Sequence, residues 1–177
     1  MFKIEAGPPT VHDGAQMLGS EQAQASDYAR SHPALTDAQT GLANRLHFEL
    51  VYNYLFEAGN RGLAFSVMLV STDSEVGAAA SDVRAVGQAI EGTTRNSDLV
   101  SHVGSGRYVV LLLGTNLQGG RIAADRTEMA LSGLVAGTVC FGLAAYSSEM
   151  RNSQDLLAAA DKALLGAEAA GGGIEFG

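Results

Sequence analysis

The chain has 177 residues, of which 46% are hydrophobic and 17% charged, and its formal net charge is -8 at pH 7. This length suits one domain with a full core, and the apolar share excludes a largely disordered chain. The negative charge argues against nucleic-acid polymers and anionic membranes as partners, because its long-range field repels both. The single cysteine, Cys140, lies in an apolar run and is predicted to be a core residue.

Residues 1–31 are polar and rich in small side chains, with Gly7-Pro8-Pro9 as a breaker. We interpret this segment as a flexible tail that ends in a linker helix, and we expect the folded domain to occupy residues 32–177. The N-terminus lacks the basic and apolar pattern of a signal peptide, and no apolar run approaches membrane-spanning length. These observations predict a cytoplasmic protein without membrane insertion.

The pattern of apolar residues predicts four helices and five strands in the folded domain. The helices are expected at residues 43–58, 78–91, 118–131 and 153–169. The strands are expected at residues 63–70, 99–103, 108–113, 134–146 and 174–176. Residues expected on the inward face of the third helix are Ile122, Ala123, Met129 and Ala130.

A hairpin is the clearest local feature of the sequence. The turn Gly104-Ser105-Gly106 separates two apolar arms, and the second arm contains a run of apolar residues at 109–113 that is typical of a central strand. Tyr108 and Phe141 are expected to be core residues of the sheet. Helices that alternate with strands around a tight hairpin indicate an α/β sandwich with a mixed or largely antiparallel sheet.

Three markers, in this order along the chain, resemble the GGDEF domain, the diguanylate cyclase fold of bacterial signalling. Residues 37–45, DAQTGLANR, resemble the family's opening D-x-L-T-G-L-x-N-R, with Gln39 for the leucine. The RNSD run at 95–98, followed by Gly104, resembles the R-x-x-D motif just before the signature hairpin, and residues 156–165 resemble the L-L-x-x-A-D-x-A-L-Y of the last helix. The resemblance implies a nucleotidyl-cyclase-like sandwich, in which helices flank a central, mostly antiparallel five-stranded sheet.

The signature of this family is altered here. Gly104, Ser105, Gly106, Arg107 and Tyr108 stand where the family has Gly-Gly-Asp-Glu-Phe. The family's chemistry requires acidic oxygens, because they hold two Mg²⁺ ions that polarise a triphosphate and activate the attacking 3′-hydroxyl. Gly106 carries no ligand atom, and Arg107 places a cation where a divalent metal would lie. We therefore expect a degenerate GGDEF domain with no catalytic residues, no metal site, no cofactor and no cyclase activity.

Other positions implied by the resemblance have changed as well. The metal-binding aspartate at the end of the first strand is Ser71, although Asp73 remains nearby, and the basic residues that would hold the triphosphate correspond to Glu168 and Gly172. The loop that would read guanine is shortened to residues 74–80. The histidines lack metal-ligand spacing and are expected to be surface or core residues: His12, His32, His47 and His102.

The resemblance also implies one ligand site that remains, the family's inhibitory site for cyclic di-GMP. Arg95 and Asp98 match its R-x-x-D motif, and Arg126 matches in position a third contributor on the following helix. The residue types suit this ligand, because one arginine can bind guanine O6 and N7 bidentately, a carboxylate can accept guanine N–H groups, and a second arginine can neutralise a phosphate. The residues alone also allow a simpler interpretation, in which Arg95 and Asp98 form a surface ion pair that caps a turn.

The sequence thus leads to three hypotheses. The first is a catalytically inactive cyclic di-GMP receptor that acts through an unidentified protein partner and dimerises when ligand binds. The second is a ligand-independent adaptor or dimerisation module built on the same fold. The third, residual cyclase activity, is disfavoured by Arg107. Nucleic acid is not expected as a partner in any of them.

Overall fold

The computed structural model describes residues 32–72 and 80–177, so the predicted tail at 1–31 and the loop that contains Asp73 lie outside the described residues. The helices are α1 (Arg45–Gly59), α2 (Ala80–Gly92), α3 (Leu117–Leu131) and α4 (Ser153–Ala170). The strands are β1 (Phe65–Thr72), β2 (Leu99–Gly104), β3 (Arg107–Leu113), β4 (Val139–Ala145) and β5 (Gly173–Phe176). None of the helices in the described ranges is both long and apolar enough to cross a membrane.

The five strands form one sheet in the order β2-β3-β1-β4-β5. The central strand β1 pairs antiparallel with β3 and with β4, and β2 pairs antiparallel with β3. Only β5 runs parallel to its neighbour, β4. Val67 in β1 lies opposite Leu111 on one side and Ala144 on the other, so the middle of the sheet is apolar across three strands. The predicted five-stranded, mostly antiparallel sheet is confirmed.

Alternate residues of each strand point to opposite faces of the sheet. Helices cover both faces, and each face has its own core. Helices α2 and α3 cover one face, where Met68, Val110 and Phe141 form a core. Helices α1 and α4 cover the other face, around Phe65 and Val67. The α/β sandwich is therefore confirmed, as are the core positions of three residues singled out in the sequence: Tyr108, Cys140 and Phe141.

The turn of the hairpin is shorter than predicted, because β2 extends through Gly104 and β3 begins at Arg107. Its two central residues, Ser105 and Gly106, both have positive φ angles, of 52° and 68°. Two successive positive φ values are the pattern of a type I′ turn, whose twist matches that of the flanking strands. Glycine takes this conformation without steric cost, which explains the residue at position 106.

Two predictions about the helices and strands are wrong. Strand β4 begins at Val139, not at residue 134, because the preceding residues complete the end of α3, where the backbone N–H groups of Leu134 and Val135 donate to the Leu131 carbonyl. Side chains expected inward on α3 instead point outward, with Ile122 59% and Met129 77% exposed. The third such side chain, also exposed, is Ala130.

Small residues form the buried face of α3. Its inner positions include Gly120, Ala123 and Ala124, and a Cβ atom at Gly120 would come within 2.9 Å of a methyl group of Leu143. The helix thus lies close to the sheet at Gly120, where small residues face inward, and the bulky Leu131 is buried at its C-terminal end. Helix α4 packs in the same way, because a Cβ atom at Gly142 would overlap its backbone.

Candidate functional site

The turn between α2 and β2 carries the first two candidate ligand residues. Asp98 is only 8% exposed, and its carboxylate accepts hydrogen bonds from the backbone N–H groups of Arg95 (2.9 Å) and Leu113 (3.1 Å). The Asp98 N–H in turn donates to the Arg95 carbonyl at 2.9 Å. The Arg95 side chain is exposed. The carboxylate therefore closes the turn and fastens it to the end of β3, while the guanidinium group stays available to solvent.

A side-chain ion pair between these two residues, the simpler interpretation of the sequence, is not formed. Both side chains belong to the described residues. The Asp98 carboxylate accepts hydrogen bonds from two backbone N–H groups and from the Ser97 hydroxyl at 3.5 Å. A carboxylate that accepts backbone N–H groups satisfies donors that would otherwise be buried without a partner. The spacing of three residues lets the Asp98 carboxylate bind the Arg95 backbone and close the turn. The Arg95 guanidinium group therefore forms no ion pair with Asp98.

Arg95 and Asp98 line a cavity of about 240 Å³ together with Arg126 of α3. The structure therefore brings together the three residues that the sequence singled out for ligand binding. Both arginine side chains are exposed, whereas Asp98 is buried. The other lining residues are Ala64, Leu112, Gly114, Thr115, Asn116, Gly119 and Ala123. That a ligand binds there stays a prediction.

The N-terminus of α3 forms one wall of this cavity. Asn116 caps the helix, since its side-chain oxygen accepts a hydrogen bond from the Gly119 N–H at 2.9 Å. A helix N-terminus carries a partial positive charge, which adds to the charges of Arg95 and Arg126. In a chain with a net charge of -8, the two arginines and one aspartate of this lining form a group with a net positive charge.

A histidine that the sequence did not connect with this site lies on its other side. A small cavity of about 60 Å³ is lined by Arg95, Asp98 and His47 of α1. His47 is 9% exposed, and its Nδ1 atom is buried without a hydrogen-bond partner in the described part of the chain. No spacing rule links a residue of α1 with the turn before β2, so only the packing of the two elements reveals this neighbour.

The signature positions lie at the opposite end of the strands. Gly104-Ser105-Gly106 form the end of β2 and the turn, and Arg107 pairs with Glu168 of α4 at 3.4 Å. Tyr108 is buried, and its hydroxyl donates to the Val83 carbonyl at 2.9 Å. Burial raises the pKa of Tyr108 to about 12, so the phenol stays protonated at neutral pH.

The charges in this region are reversed from those that the resemblance implies. The resemblance implies an acidic residue at position 107 and a basic residue at position 168. In this chain Arg107 and Glu168 occupy these positions and form an ion pair. Ser71, Gly106 and Arg107 do not fit a divalent cation, because such ions require several oxygen ligands. Among residues 32–72 and 80–177, no group of three or more His, Cys, Asp or Glu side chains is placed to hold a metal ion.

A partly buried polar cluster supports β2 from the segment before α1. Asp37 accepts hydrogen bonds from the Thr40 N–H (2.9 Å) and hydroxyl (2.8 Å), and its Oδ1 atom lies 3.0 Å from Nδ1 of the buried His102. Burial alone would raise the pKa of Asp37, but the hydrogen bonds from Thr40 and His102 outweigh it and hold the pKa below its ordinary value. The opening motif at 37–45 therefore stabilises the fold. His102 is a core histidine, which is one of the two roles predicted for the histidines.

The strand order and the two helical layers define the class of protein, an α/β sandwich with an antiparallel hairpin beside its central strand. The family model described as "Diguanylate cyclase, GGDEF domain" matches residues 34–173. This chain therefore belongs to the GGDEF domain family, and the family assignment made from the sequence motifs is confirmed.

Solved structures of GGDEF proteins share this fold. Diguanylate cyclase SiaD of Pseudomonas aeruginosa, solved in complex with its activator SiaC, is 21% identical, with a TM-score of 0.72 over 91% of this chain and 66% of SiaD. The coiled coil and GGDEF domain of DgcB from Caulobacter crescentus, solved in complex with c-di-GMP, is 15% identical, with a TM-score of 0.72 over 90% of this chain and 93% of that fragment.

The GGDEF domain of FimX from Pseudomonas aeruginosa is 16% identical, with a TM-score of 0.69 over 78% of this chain and 96% of that domain. At these identities the likeness concerns the fold alone. The chain spans slightly less than two thirds, 66%, of the SiaD chain that it matches. The search of curated proteins gave no match to this sequence.

Proposed function

We propose that this chain is a catalytically inactive GGDEF domain that binds cyclic di-GMP and passes the signal to a protein partner. The observation that carries the proposal is that Arg95, Asp98 and Arg126 line one cavity beside the N-terminus of α3. Two exposed guanidinium groups and a helix N-terminus suit a ligand that combines guanine bases with phosphates.

Each of the three residues has a separate task in this proposal. The exposed guanidinium of Arg95 binds O6 and N7 of one guanine, and that of Arg126 neutralises a phosphate. Asp98 holds the turn that presents Arg95, through its hydrogen bonds to the backbone. An ionised carboxylate has about four acceptor positions, so Asp98 keeps the capacity to accept a guanine N–H as well.

The size of the cavity bears on the mode of binding. A volume of about 240 Å³ is below the range of about 300–1,000 Å³ that is usual for small-molecule sites. The two guanines, riboses and phosphates of cyclic di-GMP exceed this volume, so part of the bound ligand projects from the surface. A second copy of the chain or a protein partner would cover that part, which supports ligand-dependent dimerisation as part of the proposal.

The inactivity of the domain is proposed from the chemistry of the hairpin. Arg107 faces Glu168 at 3.4 Å, and neither Gly106 nor Ser71 supplies a carboxylate. Incubation with GTP and Mg²⁺, followed by chromatography of the nucleotides, should give no cyclic di-GMP. Product that accumulates in proportion to the protein would contradict this part of the proposal.

A ligand-independent adaptor is the second candidate. What favours it is a row of exposed apolar side chains on the outer face of α1, where Leu46 is 50%, Leu50 57% and Tyr54 75% exposed. Residues four apart lie on one side of a helix, so the row is continuous. Exposed apolar patches often mark interaction surfaces.

Calorimetric titration with cyclic di-GMP distinguishes the two candidates. The variants are Arg95→Ala and Arg126→Ala, and the matched control is Arg121→Ala, because Arg121 lies on α3 but pairs with Asp125 at 3.2 Å and does not line the cavity. A receptor should bind with micromolar or tighter affinity, lose at least about tenfold with either test variant and be unaffected by the control. Absence of heat and of any thermal shift in the wild type would favour the adaptor.

A further inference from the structure

A cleft of about 550 Å³ lies between α1 and α4, on the face of the sheet opposite the Arg95 cavity. The two helices meet at one end of the cleft, where the Tyr52 hydroxyl donates to the Ser153 carbonyl and the Ser153 hydroxyl lies 3.4 Å from the Asn53 side chain. From there the cleft extends to the hairpin and is lined by Arg107. The cleft therefore runs from the first turn of α4 to the start of β3.

The floor of the cleft is apolar and partly aromatic. The rings of Phe48 and Tyr52 are stacked, with centroids 5.3 Å apart and an interplanar angle of 14°, and both residues are buried. Leu69, Val109 and Leu157 complete this surface. Burial raises the pKa of Tyr52 well above its ordinary value, so the floor carries no charge at neutral pH. Such a surface suits a planar apolar group.

Charged side chains of both signs line the cleft, with Arg45 and Glu49 on α1 and Asp161 on α4. About two helical turns separate Asn53 from Arg45 on α1 and Ser153 from Asp161 on α4, and all four residues line the cleft. The side chains of Arg45 and Asp161 are exposed. Within the described residues, neither takes part in an ion pair or a hydrogen bond, so more than 4.0 Å separates the guanidinium from the carboxylate. A second guanidinium, that of Arg107, lines the same cleft.

We propose that this cleft is a second binding site, for an aromatic α-amino acid. The α-ammonium group would bind Asp161, the α-carboxylate would bind Arg45, and the aromatic ring would enter the cleft against Phe48 and Tyr52. Arg45 on α1 and Asp161 on α4 flank the apolar floor, so the cleft offers a partner for each charge of the zwitterion and for the ring. A free amino acid carries no net charge at neutral pH, so the overall charge of -8 does not repel it, as it would repel an anion.

The chain contains no tryptophan, so L-tryptophan itself is a convenient probe. Its own fluorescence, excited beyond the tyrosine band, should shift to shorter wavelength and saturate as protein is added. Tryptamine lacks the carboxylate and indole-3-propionate lacks the ammonium group, and each should bind at least about tenfold more weakly, since each loses one charge-assisted contact. A spectrum unchanged at millimolar protein, or equal binding of all three compounds, would overturn the proposal.

Variants then locate the site. Arg45→Gln and Asp161→Asn should each weaken L-tryptophan binding at least about tenfold, whereas Lys162→Ala, an exposed neighbour that does not line the cleft, should not. Both test positions are exposed, and thermal unfolding checks that the variants fold. Binding that survives both substitutions would overturn the assignment. Arg95→Ala should leave L-tryptophan binding intact, so loss of cyclic di-GMP binding and loss of amino-acid binding can be told apart.

Discussion

Replacing Asp98 with alanine should destabilise the fold far more than replacing Arg95, although both residues line the same cavity. The Asp98 carboxylate is 8% exposed and accepts the backbone N–H groups of Arg95 and Leu113 at 2.9 and 3.1 Å. A hydrogen bond to a charged group contributes about 1.5–3 kcal/mol, so the two bonds amount to about 3–6 kcal/mol before the turn relaxes. Since water can reach part of the relaxed turn, we expect Asp98→Ala to lower the free energy of unfolding by about 3 kcal/mol.

Urea unfolding followed by circular dichroism measures this effect, with Arg95→Ala as the matched control. The Arg95 side chain is exposed and Asp98 binds only its backbone, so the control should stay within about 0.5 kcal/mol of the wild type. In thermal unfolding, a loss of 3 kcal/mol should lower Tm by about 6–12 °C for a domain of this size. An Asp98→Ala variant as stable as the Arg95→Ala variant would refute the argument that the carboxylate holds this turn.

Three further predictions concern packing and pH. Gly142→Ala should displace α4, because the new Cβ atom would overlap its backbone, and should lower the free energy of unfolding in urea by about 1–3 kcal/mol. At Gly166 the nearest contact of a Cβ atom is at 3.6 Å, so Gly166→Ala should instead raise the free energy of unfolding by up to about 1 kcal/mol. The lowered pKa of Asp37 gives stability that is present above its ordinary value of 3.8 and is lost as the pH falls through the folded value, so Asp37→Asn should flatten the acid unfolding profile. Burial raises the pKa of Tyr108 from 10.0 to about 12, so between these two pH values the phenol ionises in the unfolded chain only. Stability should therefore fall as the pH rises through this range, and Tyr108→Phe should reduce that loss.

Each of these predictions has an outcome that would contradict it. Equal stability of Gly142→Ala and Gly166→Ala would mean that α4 can move away from the sheet without cost. An acid profile of Asp37→Asn parallel to that of the wild type would remove Asp37 from the linkage between folding and protonation. A steep alkaline loss that persists unchanged in Tyr108→Phe would assign that loss to other groups.

The hairpin and the central strand could be predicted because their signals are local. Gly104-Ser105-Gly106 between two apolar runs marks a turn, whatever the rest of the chain does. The inner face of α3 could not be predicted by the same reasoning. Bulky apolar residues usually face the core, but here the short distance between helix and sheet at Gly120 selects small residues and leaves Ile122 and Met129 outside. Such a distance is a property of the assembled layers.

The candidate site shows the same division between local and long-range information. The spacing of Arg95 and Asp98 predicts that both belong to one turn, and the structure places them there. The second partner of Asp98 could not be found from sequence, because Leu113 lies 15 residues away and contributes only its backbone N–H. Arg45 and Asp161 likewise belong to separate motifs, and only the packing of α1 against α4 brings them to one cleft.

In the turn of the hairpin the backbone determines the shape, and the charge lies on an exposed side chain that follows it. Its course is specified by the positive φ angles at Gly104, Ser105 and Gly106, which are properties of the backbone. The Arg107 side chain that follows is 48% exposed, so exchanging its charge leaves the strand pairing behind it unchanged. A hairpin built in this way keeps its backbone course when the charge of an exposed side chain changes. The same turn can therefore carry different side chains without any change in the sheet behind it.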